Sequence, residues 1–220
     1  MPVVLVAAGV VLILVLKGGG GGGILGPITG GGNADDDTVP PFEFRLSKTS
    51  VVATVEEADL DAMRTQAGTV VDDLTPLLDD LYTNAYLDPT NWRDGDYQEI
   101  FTIFADDALA SAQDGVETLT LGATAGELYE RVTPRRGSLQ FHVLFDQEGA
   151  PATVVVEVSF TALGERQDGT YTAIVSKGEL FLNDEGSWKV TAFDVSRSDH
   201  QTQPPPSPTP SSSASASASA

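Results

Sequence analysis

The chain has 220 residues and no cysteine, and its 32 acidic and 12 basic residues give a formal charge of −20. A surface of this sign repels phosphate backbones and anionic lipid headgroups, so we expect no nucleic-acid partner. The lack of cysteine excludes disulfides, thiol nucleophiles, zinc–thiolate sites and a lipid-modified cysteine anchor. The length suits one domain of ordinary size with flanking segments.

The chain opens on an apolar segment, residues 2–16, which reads PVVLVAAGVVLILVL. It approaches the length of about 20 apolar residues that a membrane-spanning helix needs, and the amine of Lys17 can reach the headgroups behind it. We therefore predict a membrane anchor over residues 1–16 and a single-pass protein of the cell membrane, with its globular domain extracytoplasmic. The alternatives are a cleaved signal peptide, although a charged start is missing, and a soluble strand, although a period of two is missing.

Composition separates two further flanks from the globular part. Residues 17–40 are rich in glycine and aspartate, and residues 201–220 read QTQPPPSPTPSSSASASASA. Neither segment can bury enough apolar surface to offset its chain entropy, so we predict a linker and a disordered tail. The remaining residues, 41–200, form the predicted globular domain.

The strongest helical signal follows Thr54, which forms a predicted capping box with Glu57. One apolar stripe then runs along the predicted helix, at Leu60, Met63, Ala67, Val70, Val71, Leu74, Leu77, Leu78, Leu81 and Ala85. Pro76 is expected to kink the helix or split it near Thr75. Five aspartates fall on the solvated side of the helix: Asp61, Asp72, Asp73, Asp79 and Asp80.

Shorter helices are predicted after the long one. Asp96 caps a second helix, and a third runs from Asp106 to Asp114. Thr124 is a predicted cap of a fourth. Residues 88–96, DPTNWRDGD, gather acidic side chains as a calcium loop would. However, Trp92 occupies a position that an EF-hand reserves for oxygen, so we predict a connecting loop there.

From residue 138 the apolar period changes to two, which predicts four antiparallel strands. A turn between Asp146 and Pro151 pairs Phe141 with Val156 and Leu139 with Val158, so that the two apolar faces coincide. A later turn, NDEG at 183–186, would place Phe181 beside Trp188, and Gly178 is a predicted bulge. The predicted fold is therefore α+β, with an N-terminal membrane helix followed by a long kinked helix and short helices. These helices pack on a curved four-stranded antiparallel sheet to form a cone.

This order of elements, together with the run TLTLGATAGELYERVTPRRGSLQFHVLF at 118–145, resembles the nuclear transport factor 2-like superfamily. Within it, the chain is similar to the mammalian-cell-entry-associated membrane proteins of the bacterial envelope, which have one N-terminal span and one such domain. The resemblance covers residues 50–198. It implies a cone-like domain outside the membrane and a protein partner in the cell envelope.

Enzymes of the same superfamily place an acid or base and a tyrosine inside the cone, which marks His142, Glu157, Tyr82, Tyr86 and Tyr129 as candidates. His142 falls opposite Val155 and diagonal to Glu157 in the predicted register. However, both alternate with the apolar residues of their strands. We therefore expect an exposed polar pair on the outer face of the sheet, together with Gln140 and Ser159.

Two functions follow from these patterns. The first is a non-enzymatic interaction or accessory module of the cell envelope, tethered to the membrane by residues 2–16. The alternative is a site inside the cone that binds a small molecule or performs acid–base chemistry of an isomerase or dehydratase type. The first is favoured because no ionisable pair points into the predicted core. We accordingly assign no catalytic residue, no metal ligand and no cofactor.

Overall fold

A computed structural model describes residues 12–16, 38–53 and 59–204. The helical elements are α1 (Leu60–Tyr82), a π-helical turn (Thr83–Leu87), α2 (Pro89–Asp94), a 3-10 helix (Gln98–Ile103), α3 (Asp106–Asp114), α4 (Val116–Leu119) and α5 (Ala125–Leu128). The strands are β1 (Leu12–Leu16), β2 (Arg45–Ala53), β3 (Tyr129–Phe145), β4 (Pro151–Arg166), β5 (Tyr171–Asp184) and β6 (Trp188–Thr202). Helices thus precede a long meander, which is the α+β arrangement expected.

The sheet is mixed, so the predicted four-stranded antiparallel sheet is wrong. Its strands lie in the order β1 to β6, and β2 pairs parallel with β3 while all other pairs are antiparallel. Strand β2 buries Val51 and Ala53 on the inner face. It precedes α1, and this helix provides the crossover that a parallel pair requires. A single short strand before the long helix carries too few apolar positions to reveal its partner from sequence.

The predicted N-terminal membrane helix is also wrong, because Leu12–Leu16 form an edge strand. Leu12 pairs with Ala53 and Leu16 with Thr49 in an antiparallel ladder. An unbroken apolar run has no period that distinguishes a strand from a helix, so the sequence pattern alone could not identify this strand. Within the described parts of the chain, no helix has both the length and the apolar character needed to cross a membrane. Residues 1–11 of the predicted anchor lie outside the described residues.

Helix α1 begins at an aspartate cap rather than at the predicted Thr54 box, which lies outside the described residues. Asp59 Oδ1 accepts from the backbone N–H groups of Asp61 and Ala62 at 3.2 and 3.0 Å. The helix continues through Pro76 to Tyr82. Of the two effects expected at Pro76, a kink or a split near Thr75, the split is therefore wrong. The buried face agrees with the predicted stripe at Met63, Ala67, Val70, Val71, Leu74 and Leu78. Tyr82, which the stripe did not include, is buried as well.

Two local predictions for the helical part need correction. The stretch expected to be a connecting loop contains α2, whose first turn is capped by Asp88 Oδ1, which accepts from Thr90 N at 2.9 Å. Asp79, expected on the solvated side, is half-buried and accepts from Phe44 N at 2.8 Å. The predicted third helix is confirmed as α3.

The strand register confirms the central prediction of the sequence. Phe141 pairs with Val156 and Leu139 with Val158 across β3 and β4, and all four are buried. Strand β3, however, begins at Tyr129 rather than at residue 138. The last hairpin also turns later than expected, so that Phe181 lies opposite Ala192 and Trp188 lies opposite Asp184.

Gly178 allows close contact between β5 and β6 rather than forming the predicted bulge. The register is continuous through Gly178, and the irregularity falls between Phe181 and Leu182. A Cβ on Gly178 would lie 2.0 Å from the Asp194 carbonyl oxygen and 2.6 Å from Val195 Cα. Glycine is therefore required because β6 occupies the space of a side chain.

One hydrophobic core joins the helices to the inner face of the sheet, from Phe44 before β2 to Val195 in β6. Aromatic rings fill its centre. Phe160 lies within 5.4 Å of the ring centroids of Phe42, Tyr82 and Tyr86. The outer face of the sheet, by contrast, is mixed: apolar side chains such as Leu144, Val155 and Phe181 stand beside polar ones such as His142 and Glu157.

Candidate functional site

A chain of hydrogen bonds crosses three strands on the outer face of the sheet. Ser50 Oγ of β2 lies 2.6 Å from His142 Nδ1 of β3, and His142 Nε2 lies 2.8 Å from Glu157 Oε1 of β4. The parallel pairing of β2 with β3 places Ser50 directly beside His142, and the antiparallel pairing of β3 with β4 places Glu157 on the diagonal. The three side chains therefore form one Ser–His–Glu network.

The acceptor properties of Glu157 determine how the protons are arranged in this network. An ionised carboxylate only accepts, so His142 Nε2 carries the proton that points to Glu157. In the neutral ring Nδ1 then accepts, and the Ser50 hydroxyl donates to it. Gln140 Nε2 also donates to Glu157 Oε1, at 3.2 Å. Gln140 Nε2 and His142 Nε2 lie 3.0 Å apart, but both are donors in this tautomer and form no hydrogen bond with each other.

Burial is graded along this network. Ser50 is buried at 1% exposure. The side chain of His142 is 27% exposed and that of Glu157 is 49% exposed. The carboxylate is thus the end that a ligand can reach, and the serine is the inner end that fixes the ring. This order does not suit a serine nucleophile, which must be accessible to its substrate.

Glu157 also lines an open groove of about 490 Å³ on the same face, which we call the outer-face groove. Its lining is mostly polar and comes from four strands: Ser47, Ser138, Gln140, Glu157, Val158, Ser159, Lys177, Gly178 and Glu179. Hydroxyl, amide, amine and carboxylate groups therefore converge on one concave surface.

The charges of this face form a row across the sheet. Glu157 pairs directly with Glu179 of the next strand, and Glu179 pairs with Asp194 of β6. Like charges that lie directly opposite each other destabilise a sheet. Lys177 of the groove lies two residues before Glu179 on β5, opposite Ser159 of β4. Within the described residues no group of acidic, histidine or cysteine side chains has the geometry to hold a metal ion.

The tyrosine candidates occupy the opposite face, inside the core. Tyr82 and Tyr86 stack with their ring centroids 5.4 Å apart. The Tyr82 hydroxyl lies 3.3 Å from Ser176 Oγ, and the Tyr86 hydroxyl donates to the Thr118 carbonyl at 3.2 Å. Burial raises the pKa of Tyr82 far above its ordinary value and raises that of Tyr86 to about 12. Both hydroxyls therefore stay protonated near neutral pH.

The third tyrosine takes part in a polar clasp between β6 and the helices. The Tyr129 hydroxyl donates to Asp199 Oδ2 at 3.3 Å. Arg197 donates through Nε to Asp199 Oδ1 at 3.0 Å and through Nη1 to the Thr120 carbonyl at 2.6 Å. The clasp fixes the end of β6 against the segment that follows α4.

Comparisons with known proteins add little to this geometry. No family model and no curated protein matches the chain. A solved structure is similar at a distance. The crystal structure of a hexachlorocyclohexane dehydrochlorinase (LinA) Type2 aligns with a TM-score of 0.40 and 14% identity, over 69% of this chain and 99% of that one.

The structure divides the five candidates into two groups. His142 and Glu157 meet on the outer face, as the register predicted, whereas Tyr82, Tyr86 and Tyr129 lie within the core. Four partners were missed by sequence reasoning: Ser50, Ser176, Arg197 and Asp199. Ser50 depends on a parallel pairing that no local pattern reveals. Arg197 and Asp199 alternate as inward residues of β6, a period-two signal that could have identified them.

Proposed function

We propose that this acidic domain is a non-enzymatic interaction module, and that the outer-face groove binds a positively charged group of its partner. The main observation behind this proposal is that Glu157 of β4 and Glu179 of β5 pair directly with each other and both line the open groove. Both acidic residues line the groove, so their negative charges add there, and a bound lysine or arginine side chain would offset them. The charge of −20 favours the same class of partner by attracting it from a distance.

The interior of the domain supports this proposal over acid–base chemistry inside a cone. Phe160, Tyr82 and Tyr86 pack against one another, and the hydroxyl of each tyrosine already has a protein partner. The ionisable groups nearest to them, Arg197 and Asp199, are paired with each other. These contacts are those of a packed core.

The cellular setting stays a prediction of the sequence. An extracytoplasmic location and a protein partner in the cell envelope are consistent with a groove that recognises basic side chains. The specific relationship to mammalian-cell-entry-associated membrane proteins belongs to the same prediction. The groove itself depends on none of these three statements, because residues of β2, β3, β4 and β5 build it.

The proposal can be tested by NMR with the full-length, nitrogen-15-labelled chain and acetylated tetralysine amide as a probe at pH 7.5. We expect the probe to shift the backbone signals of Ser159, Lys177 and Glu179 first. The double variant Glu157→Gln/Glu179→Gln should weaken binding about fivefold or more, because two charge-assisted contacts are lost.

A matched control separates a specific site from general attraction to an acidic protein. Asp72→Asn/Asp73→Asn removes the same charge from the exposed face of α1. It should leave the dissociation constant almost unchanged, because exposed charges distant from the groove are screened by salt. Equal weakening in both double variants, or shifts spread evenly over the domain, would contradict the proposal.

A further inference from the structure

We infer that His142 makes binding in the outer-face groove sensitive to pH, so that a cationic ligand is released as the imidazole becomes protonated. The inference rests on the proposed function and deepens it. His142 does not line the groove itself. It lies behind Glu157, 2.8 Å from Oε1, and a proton on its ring places a positive charge against the carboxylate that faces the ligand.

The hydrogen bonds around His142 can be satisfied in both protonation states. In the neutral ring, Nδ1 accepts from the Ser50 hydroxyl at 2.6 Å. In the charged ring, Nδ1 donates to Ser50 Oγ, and the serine hydroxyl is free to donate to the Phe141 carbonyl, 3.4 Å away. Nε2 donates to Glu157 in either state. Protonation therefore changes the charge of the site without breaking the network.

The charged groups around His142 are few, and they determine the sign of the effect. Strand β4 presents Glu157, and β5 presents Glu179 beyond it. Strand β2 presents Lys48, two residues before Ser50 and opposite Gln140. Strand β1, which pairs with β2, is LILVL and has no ionisable side chain.

The change falls within a narrow pH window. Imidazole is the side chain that ordinarily titrates between pH 5 and 8, whereas glutamate titrates near pH 4.3. A proton on the imidazole adds positive charge directly behind Glu157. The attraction for a cation weakens as the pH falls. An added unit charge several ångströms from the ligand changes affinity on the order of fivefold.

The test measures the dissociation constant of labelled tetralysine amide by fluorescence anisotropy, at pH 7.5 and 5.5 and fixed ionic strength. The full-length wild type should bind about fivefold more weakly at pH 5.5. His142→Gln, which still donates to Glu157, should bind equally at both pH values. His200→Gln provides the matched control, because it removes an exposed histidine of β6 and should keep the wild-type dependence.

A second variant tests the role of the inner serine. Ser50→Ala removes a hydrogen bond in both states, but the bond from the charged ring is charge-assisted and therefore the stronger of the two, so the midpoint of the pH dependence should move to lower pH. The inference is overturned if His142→Gln retains the wild-type pH dependence, or if Ser50→Ala leaves the midpoint unchanged. Absence of groove binding at pH 7.5 would instead overturn the proposed function, so the two failures are distinguishable.

Discussion

At the scale of single residues, Asp79 shows how a carboxylate can fix local structure at an energetic cost. It lies on the side of α1 that sequence reasoning assigned to solvent, yet its Oδ1 accepts from Phe44 N at 2.8 Å and anchors the segment before β2. Burial raises the pKa of the Asp79 carboxyl, while the bond from the Phe44 amide lowers it by less. The folded protein therefore binds a proton at Asp79 more tightly than the unfolded chain does.

The sign of the resulting pH dependence follows from linkage. Where the folded state binds more protons than the unfolded state, the free energy of unfolding falls as the pH rises. Asp79 thus costs stability above its raised pKa. Asp79→Asn keeps an oxygen acceptor for Phe44, so its advantage over wild type should grow from pH 3.5 to pH 7 in urea denaturation. The advantage should exceed that of the exposed control Asp72→Asn, and equal curves for the two variants would contradict this account.

At the scale of elements, the sequence patterns predicted the secondary structure of most segments more successfully than they predicted which strands pair. The apolar period of two fixed the register of Phe141 with Val156, because slipping by one residue would expose the core face. The same local logic could not find the partners of β1 and β2, since an edge strand and a parallel neighbour leave no signature in their own residues. Because the partner of β2 could not be predicted, the Ser50–His142 hydrogen bond of the outer-face network could not be predicted either.

Two glycines test the packing of individual elements in opposite directions. Gly178→Ala forces a Cβ to within 2.0 Å of the Asp194 carbonyl, so β6 must move, and we expect a loss of several kcal/mol or failure to fold. Gly68 lies exposed within α1 and has no atom within 4 Å of its ideal Cβ position. Gly68→Ala should therefore stabilise the domain by about 0.5–1 kcal/mol in urea denaturation, because alanine loses less backbone entropy. Similar effects at both positions would contradict the close contact between β5 and β6.

At the scale of the whole molecule, the charge of −20 sets both the class of partner and the response to salt. Negative side chains cover both sides of the domain, with Asp72 and Asp73 exposed on α1 and the row of Glu157, Glu179 and Asp194 on the sheet. Self-repulsion of this kind opposes the compact state. The ion pairs between exposed groups, such as Arg64 with Asp61, contribute little in return.

Salt should therefore stabilise this protein. Added sodium chloride shortens the Debye length from about 30 Å at 0.01 M to about 8 Å at 0.15 M, which screens repulsion across the domain more than attraction within an ion pair. We expect the melting temperature to rise over this range. Asp72→Lys/Asp73→Lys should raise it at low salt and flatten its dependence on salt, because the variant removes repulsion that salt otherwise screens. A melting temperature that falls with salt would mean that ion pairs, such as those of the Arg197 clasp, outweigh the net charge.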